Sequence, residues 1–161
     1  DAQFGPGDNS GLTVAVDAVA LSMGGLVCRY AAVDLPGRRR LNLQRLYTVG
    51  TPHRGAAWGT RWSLDRLVRD MKINSPFLVE LEASRGDAPY ELVSYVRLGD
   101  GIVGEENAAP PGETPIWVDN LPGSRAHANA LHDPRIRADI LLRLRGLEPL
   151  AQPERVPLPG D

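Results

Sequence analysis

The organisation of the chain is decided by residues 12–25, which read LTVAVDAVALSMGG. The first ten of these residues are almost continuously apolar and rich in Val and Ala, a pattern typical of a strand buried in a parallel sheet. Ser22 follows this strand directly, and residues 26–35 have helical spacing up to the helix-breaking pair Pro36-Gly37. The sequence therefore predicts a strand that turns at Ser22 into a helix.

Strand-like and helix-like segments alternate beyond this unit. Further strands are predicted at residues 43–50, 90–98 and 115–118. Apolar residues with helical spacing lie between or after them, at 61–73, 76–83 and 134–145. Alternation of this kind predicts an α/β fold with a mostly parallel sheet of about four strands and helices on its faces.

Two of the predicted helices have clear start signals. Ser75 and Asp133 are capping residues, and each is followed by a proline at the first helical position. Gly146 marks the end of the last helix. The buried stripe predicted for that helix consists of Ile136, Ile140, Leu141 and Leu144.

The composition excludes several classes of protein. The chain has 161 residues, of which 42% are apolar and 24% charged, as expected for one globular domain or part of a larger one. A net charge of −2 without a long basic run argues against nucleic-acid binding. No apolar run approaches the roughly 20 residues that a membrane helix needs. Cys28 is the single cysteine, which excludes an internal disulfide or a cysteine-based zinc site, and we expect a buried, inert thiol.

The sharpest chemical signal is Ser22 at the junction between strand and helix. A turn of this kind exposes a Ser hydroxyl at the end of a sheet, and the small residues Ala20 and Gly24 let the strand and the helix pass closely. The N–H of Met23 then lies at the helix N-terminus, where it is a candidate donor to an oxyanion. The alternative, that Ser22 simply caps the helix, stays open on this stretch alone.

Four stretches in chain order carry a resemblance to a known family. They are 16–30 (VDAVALSMGGLVCRY), 46–55 (LYTVGTPHRG), 98–103 (LGDGIV) and 127–134 (HANALHDP). Together they resemble the lipase and esterase branch of the α/β hydrolases, which includes bacterial triacylglycerol lipases and the GPI-inositol deacylase-like group. The resemblance covers most of residues 14–145 and implies a partial α/β-hydrolase fold with a nucleophile elbow after the first strand.

The same resemblance implies a catalytic triad of Ser22, Asp100 and His127, in the family's order of nucleophile, acid and base. His127 would accept the Ser22 proton as general base, and Asp100 would orient the imidazole and stabilise its charged form. The implied function is that of a serine carboxylic ester hydrolase that acts on an ester or lipid substrate through an acyl-Ser22 intermediate.

Other residues compete for these roles. Asp119, at the end of the fourth predicted strand, and the capping residue Asp133 are alternatives to Asp100, which we favour as the acid. His132 directly precedes a helix cap, which favours a structural role. His53 lies in a Thr-Pro-His-Arg-Gly loop that is a structural element near the site in the family, and we assign it no catalytic role.

Substrate contacts are expected near the nucleophile and in the region 56–83. Leu21 stands where the family commonly has His, and 56–83 falls where family members often place cap or lid helices. The candidates to contact substrate are Leu21, Trp58, Trp62 and Leu67, with Leu64, Met71 and Phe77. Burial in the core is the alternative for the residues of 56–83, and their helical spacing favours it.

The chain has fewer residues before Ser22 than the family fold, which places several strands and a second oxyanion donor there. Residues 1–146 are therefore expected to form the C-terminal part of an α/β-hydrolase domain, with 1–11 as a loop and 147–161 as a Pro-rich flexible tail. The first strand is then expected at a sheet edge, where it can self-associate or pair with the missing half. Low activity of this chain alone is expected, because one oxyanion donor would be absent.

Two alternative functions stay open. One is an acyltransferase that uses the same triad, and the other is a non-catalytic fragment or pseudoenzyme that binds a partner. No cofactor is indicated and no cluster has metal-ligand spacing, although a calcium site built from loop Asp residues stays open. The chain begins at Asp1 without a targeting signal, so localisation stays open as well, with secretion or the cell envelope as options.

Overall fold

The computed structural model describes residues 12–56, 69–120 and 125–150. The strands in these ranges are β1 (Leu12–Leu21), β2 (Arg40–Val49), β3 (Glu91–Arg97) and β4 (Ile116–Val118). The α-helices with defined bounds are α1 (Met23–Ala31), α2 (Pro76–Ala83) and α3 (Pro134–Leu144). Short 3₁₀ turns lie at Ser84–Asp87, Glu105–Asn107 and Ala130–His132. This order of elements confirms the predicted α/β fold.

The described strands form one sheet in the order β1-β2-β3-β4, and all neighbours are parallel. Leu21 pairs with Val49, and Val49 pairs with Tyr95. Because these strands run in the same direction and register, their carboxyl ends meet at one edge of the sheet. The loops that follow β1, β2 and β3 therefore emerge side by side, which is where ligands bind in open parallel sheets.

Helices α1 and α3 cover opposite faces of the sheet. Tyr47 and Tyr95 lie in one buried cluster with Ile136 and Ile140 of α3. Leu46, next to Tyr47 in β2, lies in a different cluster on the side of α1. Neighbouring residues of a strand point to opposite faces, so the sheet is covered from both sides, as the near-continuous apolar strands predict.

The predicted boundaries need small corrections at the first helix and the second strand. Helix α1 begins at Met23, directly after Ser22, and ends at Ala31, whereas the sequence pattern predicted 26–35. Strand β2 begins at Arg40, three residues earlier than predicted. The helix therefore has its N-terminus at Ser22 itself. The strand–Ser–helix junction predicted this start, whereas apolar spacing placed it later because glycines occupy the first turn.

The predicted buried stripe of α3 is wrong at Leu141, which is 52% exposed. Ile136 and Ile140 are buried as predicted, and Leu144 is partly buried against the same cluster. The fourth position on that face is Asp139, which is 1% exposed. Leu141 lies about 100° around the helix from Ile140, and the helical period brings Asp139 to the sheet instead.

The start signals of α2 and α3 are confirmed. Ser75 caps α2, since its hydroxyl oxygen accepts the N–H of Leu78 at 3.3 Å. Asp133 caps α3, since its carboxylate accepts the N–H of Arg135 at 2.9 Å. Most of the predicted helix 61–73 lies outside the described residues, and so does the predicted loop 1–11. The predicted tail 147–161 lies outside them from residue 151 onward.

Strand β1 lies at an edge of the described sheet, as expected. It pairs with β2 on one side, and within the described ranges no strand lies on its other side. Val14 and Val19 are each 45% exposed. The edge therefore presents apolar side chains together with outward backbone groups that no other described strand pairs.

Candidate active site

Ser22 occupies a turn with an unusual backbone conformation. It stands between the last residue of β1 and the first residue of α1, with φ 53° and ψ −134°. Its N–H donates to the carbonyl of Val49 at 3.0 Å, and its own carbonyl accepts the N–H of Gly25 at 3.2 Å. Residues with side chains rarely adopt positive φ, and such conformations are held in place by their surroundings, often at functional sites. Here the β2 terminus and the first turn of α1 hold it.

Gly25 is the glycine that lets α1 approach the sheet. A Cβ atom there would overlap Thr51 Oγ1, and it would lie 2.7 Å from Thr51 Cγ2. Gly24, which the sequence pattern favoured for this role, has more room, because its added Cβ would meet Ala20 Cβ at 3.8 Å. The close approach therefore falls one residue later than predicted, and it involves β2 at Thr48 and the loop after β2 at Thr51 rather than β1.

His127 bridges the side chains of Ser22 and Asp100. Its Nε2 lies 3.0 Å from Ser22 Oγ, and its Nδ1 lies 2.8 Å from Asp100 Oδ2. His127 belongs to the described stretch 125–133 before α3, whereas Asp100 lies in the turn after β3. The fold thus brings together three side chains that are far apart in sequence, and they are the three that the resemblance named.

The carboxylate of Asp100 is buried and held by further donors. Its Oδ1 accepts the backbone N–H groups of Ile102 at 3.0 Å and Val103 at 3.2 Å. Burial acts to raise the pKa of Asp100, but the hydrogen bonds from His127 and from these backbone groups outweigh it, so the pKa lies below its ordinary value. An ionised carboxylate only accepts hydrogen bonds, so Nδ1 of His127 carries the proton and Nε2 turns its lone pair to Ser22.

Gly50 is a site residue for which sequence reasoning proposed no role. It follows β2 with φ 54°, and its N–H donates to the carbonyl of Tyr95 at 3.1 Å. A Cβ there would lie 3.1 Å from Asp100 Oδ2 and 3.4 Å from His127 Nδ1. Position 50 therefore favours glycine for two reasons: its positive φ, and the space that the contact between Asp100 and His127 occupies. The sequence signal was weak, since Gly50 is the last residue of the strand predicted at 43–50.

The competing acids lie elsewhere. Asp119 follows β4 with an exposed side chain, and its backbone carbonyl accepts a hydrogen bond from the Arg135 guanidinium at 2.6 Å. Asp133 is buried and serves as the cap of α3. His132 is exposed in the 3₁₀ turn before that cap. Within the described ranges, the carboxylate in contact with His127 is that of Asp100.

His53 is the centre of a buried polar chain that is separate from the triad. Its Nδ1 lies 2.9 Å from an Arg29 nitrogen, which can only donate, so Nδ1 is unprotonated. Its Nε2–H then donates to the Thr48 hydroxyl at 3.1 Å, and that hydroxyl donates to Ser94 at 3.2 Å. Burial and the nearby charge of Arg29 hold the pKa of His53 well below its ordinary value. This neutral, enclosed imidazole suits the structural role that the sequence favoured.

The predicted substrate contacts are described only in part. Leu21 is partly buried and packs against the cluster under α3. Met71 and Phe77 are partly buried against the cluster of Leu26, Leu78 and Leu81, in agreement with the alternative that they belong to the core. The remaining candidates lie outside the described residues: Trp58, Trp62, Leu64 and Leu67.

Cys28 is partly buried in α1 rather than fully enclosed. Burial raises the pKa of its thiol, so the unreactive thiol form dominates at neutral pH. The inert behaviour expected from the sequence agrees with this environment.

A cavity of about 510 Å³ lies between α2 and the segment 106–111. His53, Leu78 and Asn107 are among its lining residues, whereas Ser22, Asp100 and His127 are not. Among the described residues, no group of three or more His, Cys, Asp or Glu side chains is arranged to hold a metal ion. None of the helices in the same ranges is long and apolar enough to cross a membrane.

No model of a known protein family matches this chain, and no curated protein sequence is significantly similar to it.

Proposed function

We propose that this protein is a serine hydrolase of carboxylic esters, of the lipase and esterase type, that works through an acyl-Ser22 intermediate. One observation carries the proposal: His127 Nε2 lies 3.0 Å from Ser22 Oγ while its Nδ1 lies 2.8 Å from Asp100 Oδ2. A Ser hydroxyl is a weak nucleophile until a base takes its proton. A base that a third group orients supplies this activation.

The first half-reaction forms the acyl-enzyme. Ser22 Oγ adds to the ester carbonyl carbon while His127 Nε2 takes the hydroxyl proton. The tetrahedral intermediate then collapses, the bond from the acyl carbon to the alcohol oxygen breaks, and His127 gives its proton to that oxygen. Asp100 is ionised and stabilises the imidazolium that exists between these two proton transfers.

The second half-reaction releases the acid. His127 takes a proton from water as the water oxygen adds to the acyl carbon. The bond from this carbon to Ser22 Oγ then breaks, and the proton passes from His127 to Ser22. The enzyme returns to its starting state, and ester plus water has become acid plus alcohol.

Developing negative charge on the substrate carbonyl oxygen needs a donor close to Ser22. We assign the N–H of Met23 to this task, because Met23 is the first residue of α1 and its N–H belongs to the positive end of the helix dipole. Removing one such donor typically lowers the rate about 10²–10³-fold.

Membership of the α/β-hydrolase lipase and esterase branch is part of the same proposal. It is supported by the Ser–Asp–His order along the chain and by the strand–Ser–helix junction with positive φ at Ser22. The parallel sheet, whose carboxyl ends carry Ser22 and Asp100, agrees with it. The triad geometry supports acyl transfer to water, whereas the choice of esters as substrates rests on the sequence resemblance.

Labelling with a fluorophosphonate probe tests the proposal on the full 161-residue chain. The probe reacts with an activated Ser and needs little of an acyl pocket. We expect one covalent adduct by intact mass, lost in Ser22→Ala and slowed at least about 10²-fold in His127→Ala. His132→Ala serves as the matched control, because it removes an exposed His five residues away and should keep the wild-type labelling rate.

The second experiment measures the turnover of p-nitrophenyl esters by wild-type protein that has not been treated with the probe. A burst of p-nitrophenol, followed by slower steady turnover as the acyl-enzyme is hydrolysed, would support the acyl-Ser22 route. Absence of labelling in soluble, folded wild-type protein would contradict the proposal, and so would labelling that survives in Ser22→Ala.

A further inference from the structure

Arg97 is a buried arginine at the carboxyl end of β3. It is 2% exposed, and its NH2 donates to Asn120 Oδ1 at 2.8 Å. The same nitrogen lies 3.6 Å from Asp133 Oδ2, and the side chain of Asp133 is fully buried. Burying an arginine is costly unless its charge is paired, so separating Arg97 from Asp133 would leave a buried charge without its partner.

The two partners of Arg97 lie on either side of His127 in the sequence. Asn120 comes shortly after β4, and Asp133 is the cap of α3. Arg97 itself stands three residues before Asp100, whose N–H donates to the Arg97 carbonyl at 3.3 Å. One side chain therefore connects the strand that presents Asp100 to both ends of the connection that presents His127.

A second arginine strengthens the same junction. Arg135 donates to Asp133 Oδ1 at 3.0 Å through Nε and to Asp133 Oδ2 at 2.7 Å through NH2. Its NH2 also donates to the carbonyl of Asp119 at 2.6 Å. These hydrogen bonds, led by those of the Arg135 side chain, hold the pKa of Asp133 below its ordinary value although burial opposes them. Asp133 thus stays ionised between two guanidinium groups.

We propose that Arg97 is a positioning residue for the triad: with Asp133 and Asn120 it fixes the ends of the connection from β4 to α3, and thereby sets where His127 stands relative to Asp100 and Ser22. The inference rests on the proposed function for its catalytic consequence. Its structural part, the orientation of the His127 ring, can be measured without any reaction.

The physical reason is the tight tolerance of the triad. His127 must keep two contacts of 3.0 and 2.8 Å at once, toward residues on different elements. A displacement of about 1 Å at a reacting group can cost on the order of 10²-fold in rate. A buried charged pair between β3 and the cap of α3 removes the freedom that would allow such a displacement.

The test compares two changes at this junction with one matched control elsewhere. Arg97→Met with Asp133→Asn removes the ion pair without leaving a buried charge, and Asn is itself a good helix cap. Asn120→Ala removes the hydrogen bond to Arg97 by a change at an exposed position, which we expect the fold to tolerate. The control is Arg143→Met with Asp139→Asn, which removes another Arg–Asp pair, 2.7 Å apart, in the middle and last turn of the same helix.

The structural readout is the ¹H–¹⁵N spectrum of the imidazole rings. The chain has three histidines, so His127 can be followed beside His53 and His132. We expect the wild-type protein to show His127 with its proton on Nδ1. Both junction variants should shift His127 toward the mixed tautomers of an unconstrained ring, whereas the control variant should leave it unchanged.

The reactive readout is the rate of fluorophosphonate labelling, which we expect to fall about 10- to 100-fold in the junction variants and to stay near wild type in the control. Wild-type His127 spectra and labelling rates in folded junction variants would overturn the inference. An equal shift of His127 in the control would overturn it too. If the double variant does not fold, the spectrum of Asn120→Ala decides alone. Failure of folded wild-type protein to react with the fluorophosphonate probe would contradict the proposed function. The imidazole spectra would still test the placement of His127 in that case.

Discussion

At the scale of single residues, the site depends on two positions with positive φ. Ser22 has φ 53° and Gly50 has φ 54°, and they follow paired positions of β1 and β2. The Ser22 conformation is held by its hydrogen bond to Val49, whereas Gly50 adopts its conformation at little steric cost. Two adjacent strands are therefore each followed by a residue with positive φ. One is Ser22, the proposed nucleophile, and the other is Gly50, which leaves room for the contact between Asp100 and His127.

Gly50→Ala should damage the site more than it damages the fold. We expect a loss of about 1–2 kcal/mol in the free energy of unfolding from the positive φ. The new Cβ would also lie 3.1 Å from Asp100 Oδ2, so we expect fluorophosphonate labelling to slow about 10- to 100-fold. Labelling kinetics and urea denaturation measure the two effects separately.

Gly99→Ala is the matched control for this prediction. Gly99 has φ 75°, and a Cβ there would meet nothing within 4 Å. The control should therefore lose similar stability and keep its labelling rate. Equal labelling rates in Gly50→Ala and wild type would show that the space beside Asp100 is not required.

His53 predicts a pH dependence of folding stability. Its pKa in the folded protein lies well below the value of 6.5 for an unperturbed imidazole, because it is buried beside Arg29. Below pH 6.5, His53 therefore binds a proton in the unfolded chain but stays neutral in the folded protein. The free energy of unfolding should then fall as the pH decreases from 6.5 to 5, by up to about 1.4 kcal/mol per pH unit from this residue.

Urea denaturation at several pH values measures this slope. His53→Gln should lower stability at pH 7.5, since it disturbs the contacts to Arg29 and Thr48, but should lose most of the dependence between pH 6.5 and 5. His132→Gln removes an exposed histidine and should keep the wild-type slope. A wild-type stability that does not change across this range would contradict the buried, neutral state of His53.

At the scale of elements, the sequence predicted the four strands within three residues at each end, because apolar runs bounded by Gly and Pro are strong signals. The capped helices α2 and α3 were predicted from Ser75-Pro76 and Asp133-Pro134. Apolar spacing placed the start of α1 too late, at residue 26, because the pair Gly24-Gly25 has poor helix propensity. The strand–Ser–helix pattern placed the helix N-terminus at Ser22, where the structure has it. Spacing alone also could not tell that Asp139 would be buried.

The burial of Asp139 has a tertiary cause. The Tyr95 hydroxyl donates to Asp139 Oδ2 at 2.7 Å, and Arg143 Nε donates to the same oxygen at 2.7 Å. The backbone N–H of Leu150 donates to Oδ1 at 2.8 Å. A carboxylate with three such donors can occupy an apolar interface, and none of them is visible from the spacing of α3. The position of Gly50 beside Asp100 was hidden in the same way, since it depends on strand register.

At the scale of the whole molecule, β1 leads into Ser22, the proposed nucleophile, and also forms the edge of the described sheet. Its outward backbone groups have no strand partner within the described ranges, and Val14 and Val19 are each 45% exposed. Such an edge can pair with a strand of another chain. Natural edge strands are often blunted by charged side chains, and Asp17 in β1 is paired internally with Arg45 at 2.6 Å.

We therefore expect the native chain to self-associate, with a weight-average mass that rises with concentration in sedimentation equilibrium. Val14→Lys places a charge on the exposed part of β1, far from Ser22, and should weaken association about tenfold or more in Kd. Val79→Lys is the matched control, because Val79 is an exposed valine of α2 outside the sheet edge, and it should associate like wild type. A monomer at all concentrations would contradict the prediction, whereas equal weakening by both variants would move the contact surface away from β1.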